Sequence, residues 1–92
     1  MITIEIPGVL RPYARGQSAI VVDDSCTTAR DALAALGKDA PGALDRVMDE
    51  RGEVRQHVNV FVNGESIRFL DGLKTPTPSG TTIVILAAVS GG

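Results

Sequence analysis

The run from Thr81 through Ile83-Val84-Ile85-Leu86 to Ala88-Val89 constrains the fold of this chain more than any other segment. It is rich in β-branched residues and follows a stretch of turn chemistry, Thr75 to Gly80 with Pro76 and Pro78, so it reads as a strand. Ile83 and Ile85 alternate with Val84 and Leu86, which makes both faces of that strand apolar. Two arrangements satisfy such a strand. It can sit centrally, buried on both sides by loops or by a short helix. Alternatively, one helix seals one face and the other presents Val84 and Leu86, with Phe61 nearby, as a partner-binding patch.

The remaining periodicities say what surrounds it. Ile2, Ile4 and Ile6 alternate with Thr3 and Glu5, the period of a strand with one buried face, and Pro7-Gly8 ends it. Ser18 to Val22 reads as a second strand, close enough to pair antiparallel with the first. Ala29, Ala32, Leu33 and Leu36 fall at i, i+3, i+4 and i+7, one face of a helix, with the polar run Asp23 to Thr28 before it. Gly37 stands where a left-handed C-terminal cap belongs, and Pro41 opens a shorter apolar stripe of Leu44, Val47 and Met48. Asp49 to Gln56 is a charged loop. From His57 the period returns to two, with Val58, Val60 and Val62 on one side and Asn59 and Phe61 on the other. Asn63-Gly64 is a tight-hairpin signal, so Glu65 to Phe69 is expected to return as a short strand. One α+β domain follows, with its first and last strands paired.

Composition closes several functional classes. The chain has 92 residues, enough for one domain and too few for two. Nine Lys and Arg against eleven Asp and Glu, with aromatic residues at 3%, offer nothing to a nucleic acid. The single Cys26 and single His57 cannot supply a disulfide framework, a thiolate cluster or a zinc site by themselves. The opening Met-Ile-Thr-Ile-Glu is not a secretory signal, and no apolar stretch approaches the roughly 20 residues of a membrane helix. A cytoplasmic protein with no membrane and no nucleic-acid partner is expected.

The chain ends Val89-Ser90-Gly91-Gly92 directly after the strand. Small residues accumulate at frayed ends, but ten glycines in 92 residues make a random Gly-Gly end uncommon, about 1% on composition. Two glycines without Cβ atoms can thread a narrow channel, and three extended residues reach roughly 10 Å beyond a domain. The group delivered is the α-carboxylate of Gly92. A carboxylate is a poor electrophile and must first be activated, for example as an acyl-adenylate. The chain carries neither G-x-x-x-x-G-K-[ST] nor G-x-G-x-x-G, so that activation must come from another protein.

The segment from Ser79-Gly80-Thr81 through Ile83-Val84-Ile85-Leu86 to Ala88-Val89-Ser90-Gly91-Gly92 resembles the turn, strand and Val-small-Gly-Gly ending of the ubiquitin-like sulfur-carrier proteins, the MoaD/ThiS family. Phe61-Val62-Asn63-Gly64-Glu65-Ser66-Ile67-Arg68-Phe69 resembles that family's Val-Asn hairpin. Leu10-Arg11-Pro12, Gly16-Gln17 and Gly72-Leu73 bring the chain nearest to the branch serving a thiocarboxylate-dependent cysteine synthesis. The resemblance spans nearly the whole chain. Departures are Ser79-Gly80-Thr81, where an Asp-Gly-Asp type turn is common, and Ala87-Ala88, where many relatives carry proline.

This resemblance implies a ubiquitin-like β-grasp: a mixed sheet of four to five strands with one main helix packed on one face. It implies a single domain over 1–92 with a flexible tail from about residue 89 to 92. It also implies a sulfur carrier, a co-substrate of partner enzymes with no catalytic residue of its own. An adenylating enzyme of the ubiquitin-activating type would use ATP on Gly92, with Ser90 and Gly91 as the slender tail and Phe61, Val84, Leu86 and Val89 as the partner patch. A sulfurtransferase or sulfide source would then produce a thiocarboxylate, and the carrier itself would bind no cofactor. The partners beyond would be a pyridoxal-phosphate cysteine synthase and a metalloprotease. The alternatives are the large subunit of a molybdopterin synthase, with this chain as the small subunit, or, for a protein modifier, a lysine of another protein.

Other residues invite a chemical reading and have a plainer one. Cys26, ahead of a helix, reads as a packing cysteine, because no His or second Cys lies near it in sequence. Asp23-Asp24 reads as capping and dipole residues rather than a catalytic pair. His57 reads as a surface residue, and Arg11, Arg15, Arg68 and Lys74 as a solvated face.

Overall fold

A computed structural model describes residues 1–87 of the chain. The alternating isoleucines form β1, Ile2–Glu5, with Ile2 and Ile4 wholly buried and Thr3 and Glu5 turned away from them. A 3-10 segment, Gly8–Ala14, tucks Leu10 and Ala14 inward and returns the chain to β2, Ala19–Val22. β1 and β2 pair antiparallel, Ile4 opposite Ile20.

Helix α1, Ala29–Asp39, is capped by Thr28, whose Oγ1 accepts from the Asp31 N–H at 3.2 Å. Ala29, Ala32, Leu33 and Leu36 are its buried stripe, as the spacing predicts. Gly37 is not the cap. It lies inside the helix, and Ala40 ends it. A Cβ at Gly37 would collide with Leu44 Cδ2 and come within 3.3 Å of its Cγ, so glycine is there to let a second helix approach. That helix is α2, Pro41–Val47, with proline at its first turn as expected.

The Val-rich segment forms β3, Val58–Val62, with Val58, Val60 and Val62 buried. Asn63 (φ 49°) and Gly64 (φ 89°) both take the left-handed conformation that a type I′ hairpin turn requires. The returning strand β4 covers only Glu65–Ser66. Ile67–Phe69, expected as strand, is a 3-10 turn instead, because Ile67 dives into the core and pulls the chain out of the sheet. A further 3-10 turn, Gly72–Lys74, leads to a loop stitched onto the start of α1. Thr77 N–H donates to Thr27 O at 2.9 Å, and the buried Thr77 Oγ1 donates to Cys26 O at 2.8 Å.

β5, Thr82–Ala87, closes the fold between β1, to which it runs parallel, and β3, to which it runs antiparallel. The five strands lie in the order β2-β1-β5-β3-β4. The expected pairing of first and last strands is therefore present, and β5 is central. The single core lies between the sheet and α1, with Ile2, Ile4, Ile83, Ile85, Val58 and Val60 meeting Leu33 and Leu36. Each such buried side chain contributes roughly 1.5–3 kcal/mol from lost apolar exposure. Among the described residues, no helix is long and apolar enough to cross a membrane.

Candidate functional site

Because side chains alternate along strands, sealing one face of the sheet with α1 leaves every second residue on the other. β5 shows the division: Ile83 and Ile85 are 0% and 1% exposed, while Leu86 is 49% exposed. Val84 is half-buried. The register places Glu5, Val84 and Phe61 side by side across β1, β5 and β3, with Ala19 and Ser66 completing the row at either edge. Phe61 and Val84 form an aromatic–β-branched cross-strand pair. Leu86 lies opposite Asn59, one step nearer the end of β5. The structure thus brings the predicted Phe61, Val84 and Leu86 together on one uncovered face. Of the two arrangements open for β5, it is the one sealed on a single side.

Two arginines border this face where β5 runs out. Arg11 holds the end of β1 by donating from Nε to Ile6 O at 3.0 Å, and it lines a shallow cleft with Val84 and Leu86. Arg68, on the opposite edge, donates to Asn59 Oδ1 at 2.8 Å and to Val58 O at 3.0 Å. Both read from sequence as merely solvated. The anchoring depends on Ile6 O for Arg11, five residues upstream, and on Val58 O and Asn59 Oδ1 for Arg68 across the hairpin, and no local sequence signal marks either. Phe69 is 86% exposed, a surface hydrophobe that the strand expected over Glu65 to Phe69 does not anticipate. Val89, Ser90, Gly91 and Gly92 lie outside the described residues.

The remaining candidates are scattered. Cys26 is buried, and burial pushes its thiol up, with the charges of Asp31 and Asp23 adding to the effect. A thiol held neutral in packing is no nucleophile. Asp23 and Asp24 cap no helix. Asp23 accepts from the Ser25 N–H at 2.7 Å in a turn, and Asp24 pairs with the Met1 amino group, which holds its carboxyl below the usual range. His57 and Lys74 are exposed. Arg15 takes the left-handed conformation that ends the first 3-10 segment. Among the described residues, no three His, Cys, Asp or Glu side chains converge to hold a metal ion.

The ThiS family model matches residues 4–92. This chain belongs to the ThiS family. Within that family it is 37% identical over 93 residues to the sulfur carrier protein CysO of Mycobacterium tuberculosis, covering 99% of this chain and 98% of that one. It is also 37% identical over 79 residues to small archaeal modifier protein 3 of Haloferax volcanii, covering 84% of each chain. Among solved structures, that of the Amycolatopsis orientalis BexX/CysO complex contains a chain that matches with a TM-score of 0.89 at 29% identity, over 100% of both chains. The fold of this ThiS-family chain is the ubiquitin-like β-grasp, with its mixed sheet and main helix on one face.

Proposed function

We propose that this chain is a protein sulfur carrier whose reactive group is the C-terminal carboxylate of Gly92. In the first step that carboxylate attacks the α-phosphorus of ATP in a ubiquitin-activating-type enzyme. An acyl–phosphate bond forms and pyrophosphate leaves. In the second, sulfide attacks the acyl carbon, AMP leaves, and a thiocarboxylate remains. Where a sulfurtransferase persulfide attacks instead, AMP departs and an acyl disulfide remains, which two thiols then reduce, freeing the thiocarboxylate and the sulfurtransferase cysteine as they form a disulfide. Neither step uses a catalytic group of the carrier. The chain's own contribution is to dock and to present its end, with Ser90 and Gly91 small enough to pass into a narrow channel. Phe61, Val84 and Leu86 form the apolar docking surface, which would lose water contact against a partner.

The single observation that carries this reading is the position of β5. It is the central strand, its exposed face carries Val84 and Leu86, and residues 88–92 follow it in the sequence. Full-length similarity to a sulfur carrier supports it, and so does the existence of a complex containing a CysO. The cysteine route is favoured among sulfur acceptors. There the thiocarboxylate sulfur adds to the β-carbon of an aminoacrylate held on pyridoxal phosphate by a cysteine synthase, and a metalloprotease releases the product from the carrier. Similarity to a small archaeal modifier supports a second reading, in which Gly92 is joined to a lysine of another protein.

Intact-protein mass spectrometry after incubation with ATP, the activating enzyme and sulfide tests the proposal. The expected result is exchange of one terminal oxygen for sulfur, abolished by deleting Gly92 with the melting midpoint unchanged. Oxygen alone at the terminus overturns it, and a ladder of covalent conjugates in extract selects the modifier reading instead.

A further inference from the structure

Among the described residues, β3 has a complete strand partner on one edge only. On the β5 side it pairs from Val58 to Val62, whereas β4 pairs with Phe61 and Val62 alone. The chain leaves the sheet at Ile67, which is buried, and Ser66 Oγ accepts from the Arg68 N–H at 3.3 Å to begin the turn. The outer edge of β3 from Val58 onward would then carry unpaired backbone groups, a free sheet edge. Arg68 fills it. Its Nη2 donates to Val58 O at 3.0 Å and its Nη1 to Asn59 Oδ1 at 2.8 Å, with longer contacts from Nη2 to Gln56 O at 3.3 Å and Arg55 O at 3.5 Å. The Val58 N–H also turns outward, to Arg55 O at 3.0 Å.

Val58 and Asn59 are the register partners of Ala87 and Leu86, the last described residues of β5. Whatever holds the first two therefore holds the stretch from which residues 88–92 depart. We propose that Arg68 is a positioning residue for carboxylate activation. By clamping the outer edge of β3 at Val58 and Asn59, it steadies Leu86 and Ala87, the end of β5 that precedes residues 88–92 in the sequence. The inference rests on the sulfur-carrier reading. Its physical basis is that a planar guanidinium presents several donors in a rigid fork and can hold two acceptors at once, which an ammonium does poorly. A misplacement of about 1 Å at a reacting atom can lower a rate by about 100-fold, so a frayed β3 start would act on turnover rather than on docking.

The test is steady-state adenylation of the carrier by its activating enzyme, with carrier concentration varied, alongside amide hydrogen exchange of the free protein. Arg68→Ala is expected to lower kcat by about tenfold with KM within about threefold of wild type. It should also speed exchange at Asn59 and Leu86 while the amides of α1 stay protected. Arg68→Lys, keeping the charge but not the fork, should recover part of kcat. Should Arg68→Ala unfold, Arg68→Lys carries the same comparison, with intermediate values expected. Wild-type kcat in the variants overturns the proposal. So does a raised KM at unchanged kcat, which would make Arg68 a partner contact, and so does reduced kcat without faster exchange. Failure of the enzyme to act on the wild-type chain would count instead against the sulfur-carrier reading. In that case the exchange measurement alone still decides whether Arg68 clamps the edge.

Discussion

Asp49 closes the loop between α2 and β3 by accepting through Oδ1 from the backbone N–H groups of Glu53 at 3.0 Å and Arg51 at 2.9 Å. The Glu53 N–H is the main cause holding its carboxyl below the usual range, against a smaller opposing effect of burial. A carboxyl whose pKa is lower folded than unfolded stabilises the fold above its unfolded value, and the gain disappears as pH falls through the folded one. Asp49→Asn should therefore lower the melting midpoint at about pH 7, with the difference from wild type shrinking as pH falls, a comparison that thermal melts over a pH series make directly. Residues of this kind were legible only as composition. The charged run Asp49 to Gln56 announces a loop, but which carboxylate accepts which N–H depends on backbone placement. Cys26 and His57 read correctly from sequence because each lacked a neighbour able to give it chemistry. Asp23 and Asp24 did not, because the chain makes another turn before Thr28 takes the cap.

Helices α1 and α2 meet where Gly37 faces Leu44. Two effects of Gly37→Ala oppose each other: alanine gains up to about 1 kcal/mol of helix propensity, whereas overpacking costs about 1–3 kcal/mol. Swinging Leu44 Cδ2 aside relieves the hardest contact, but Leu44 Cγ at 3.3 Å from the new methyl position must still give by a few tenths of an ångström between two packed helices. Gly37→Ala should lose about 1 kcal/mol net in urea unfolding, and in a Leu44→Ala background it should instead gain up to about 1 kcal/mol. Glycine near the end of an apolar stripe carries the same local signature whether it caps a helix or makes room for one. Only the neighbour distinguishes the two. The strand expected over Glu65 to Phe69 failed in a similar way. Its first two residues pair, and then the pull of Ile67 toward the core outweighs the ladder.

Across the whole molecule, adjacent residues of β5 have opposite duties. Ile85 lies in the core and Leu86 on the open face, so Ile85→Ala should cost about 2–5 kcal/mol of stability. Leu86→Asp should shift stability by no more than about 0.5 kcal/mol. If the proposed docking surface is used, the same Leu86→Asp should raise the carrier concentration needed for half-maximal adenylation by about tenfold, since it places a charge on that surface. Denaturant melts and carrier-titrated adenylation separate the two residues. The contrast arises because a sheet in this fold has one helix-covered side, and strand alternation assigns each residue to a side.

The strands at both ends, the helical stripe, the Asn63-Gly64 hairpin and the Gly91-Gly92 ending were written in local periodicity and residue type, which act over a few neighbours and need no partner to be read. The apolar residues of β5 announced a strand with two apolar faces without saying which face would stay open. That depended on where α1 came to rest. The guanidinium of Arg68 found its four acceptors, spread from Arg55 to Asn59, only once β4 had ended early and left an edge to fill. Such choices belong to contacts between segments distant in the chain, and no single stretch of sequence contains both halves of them.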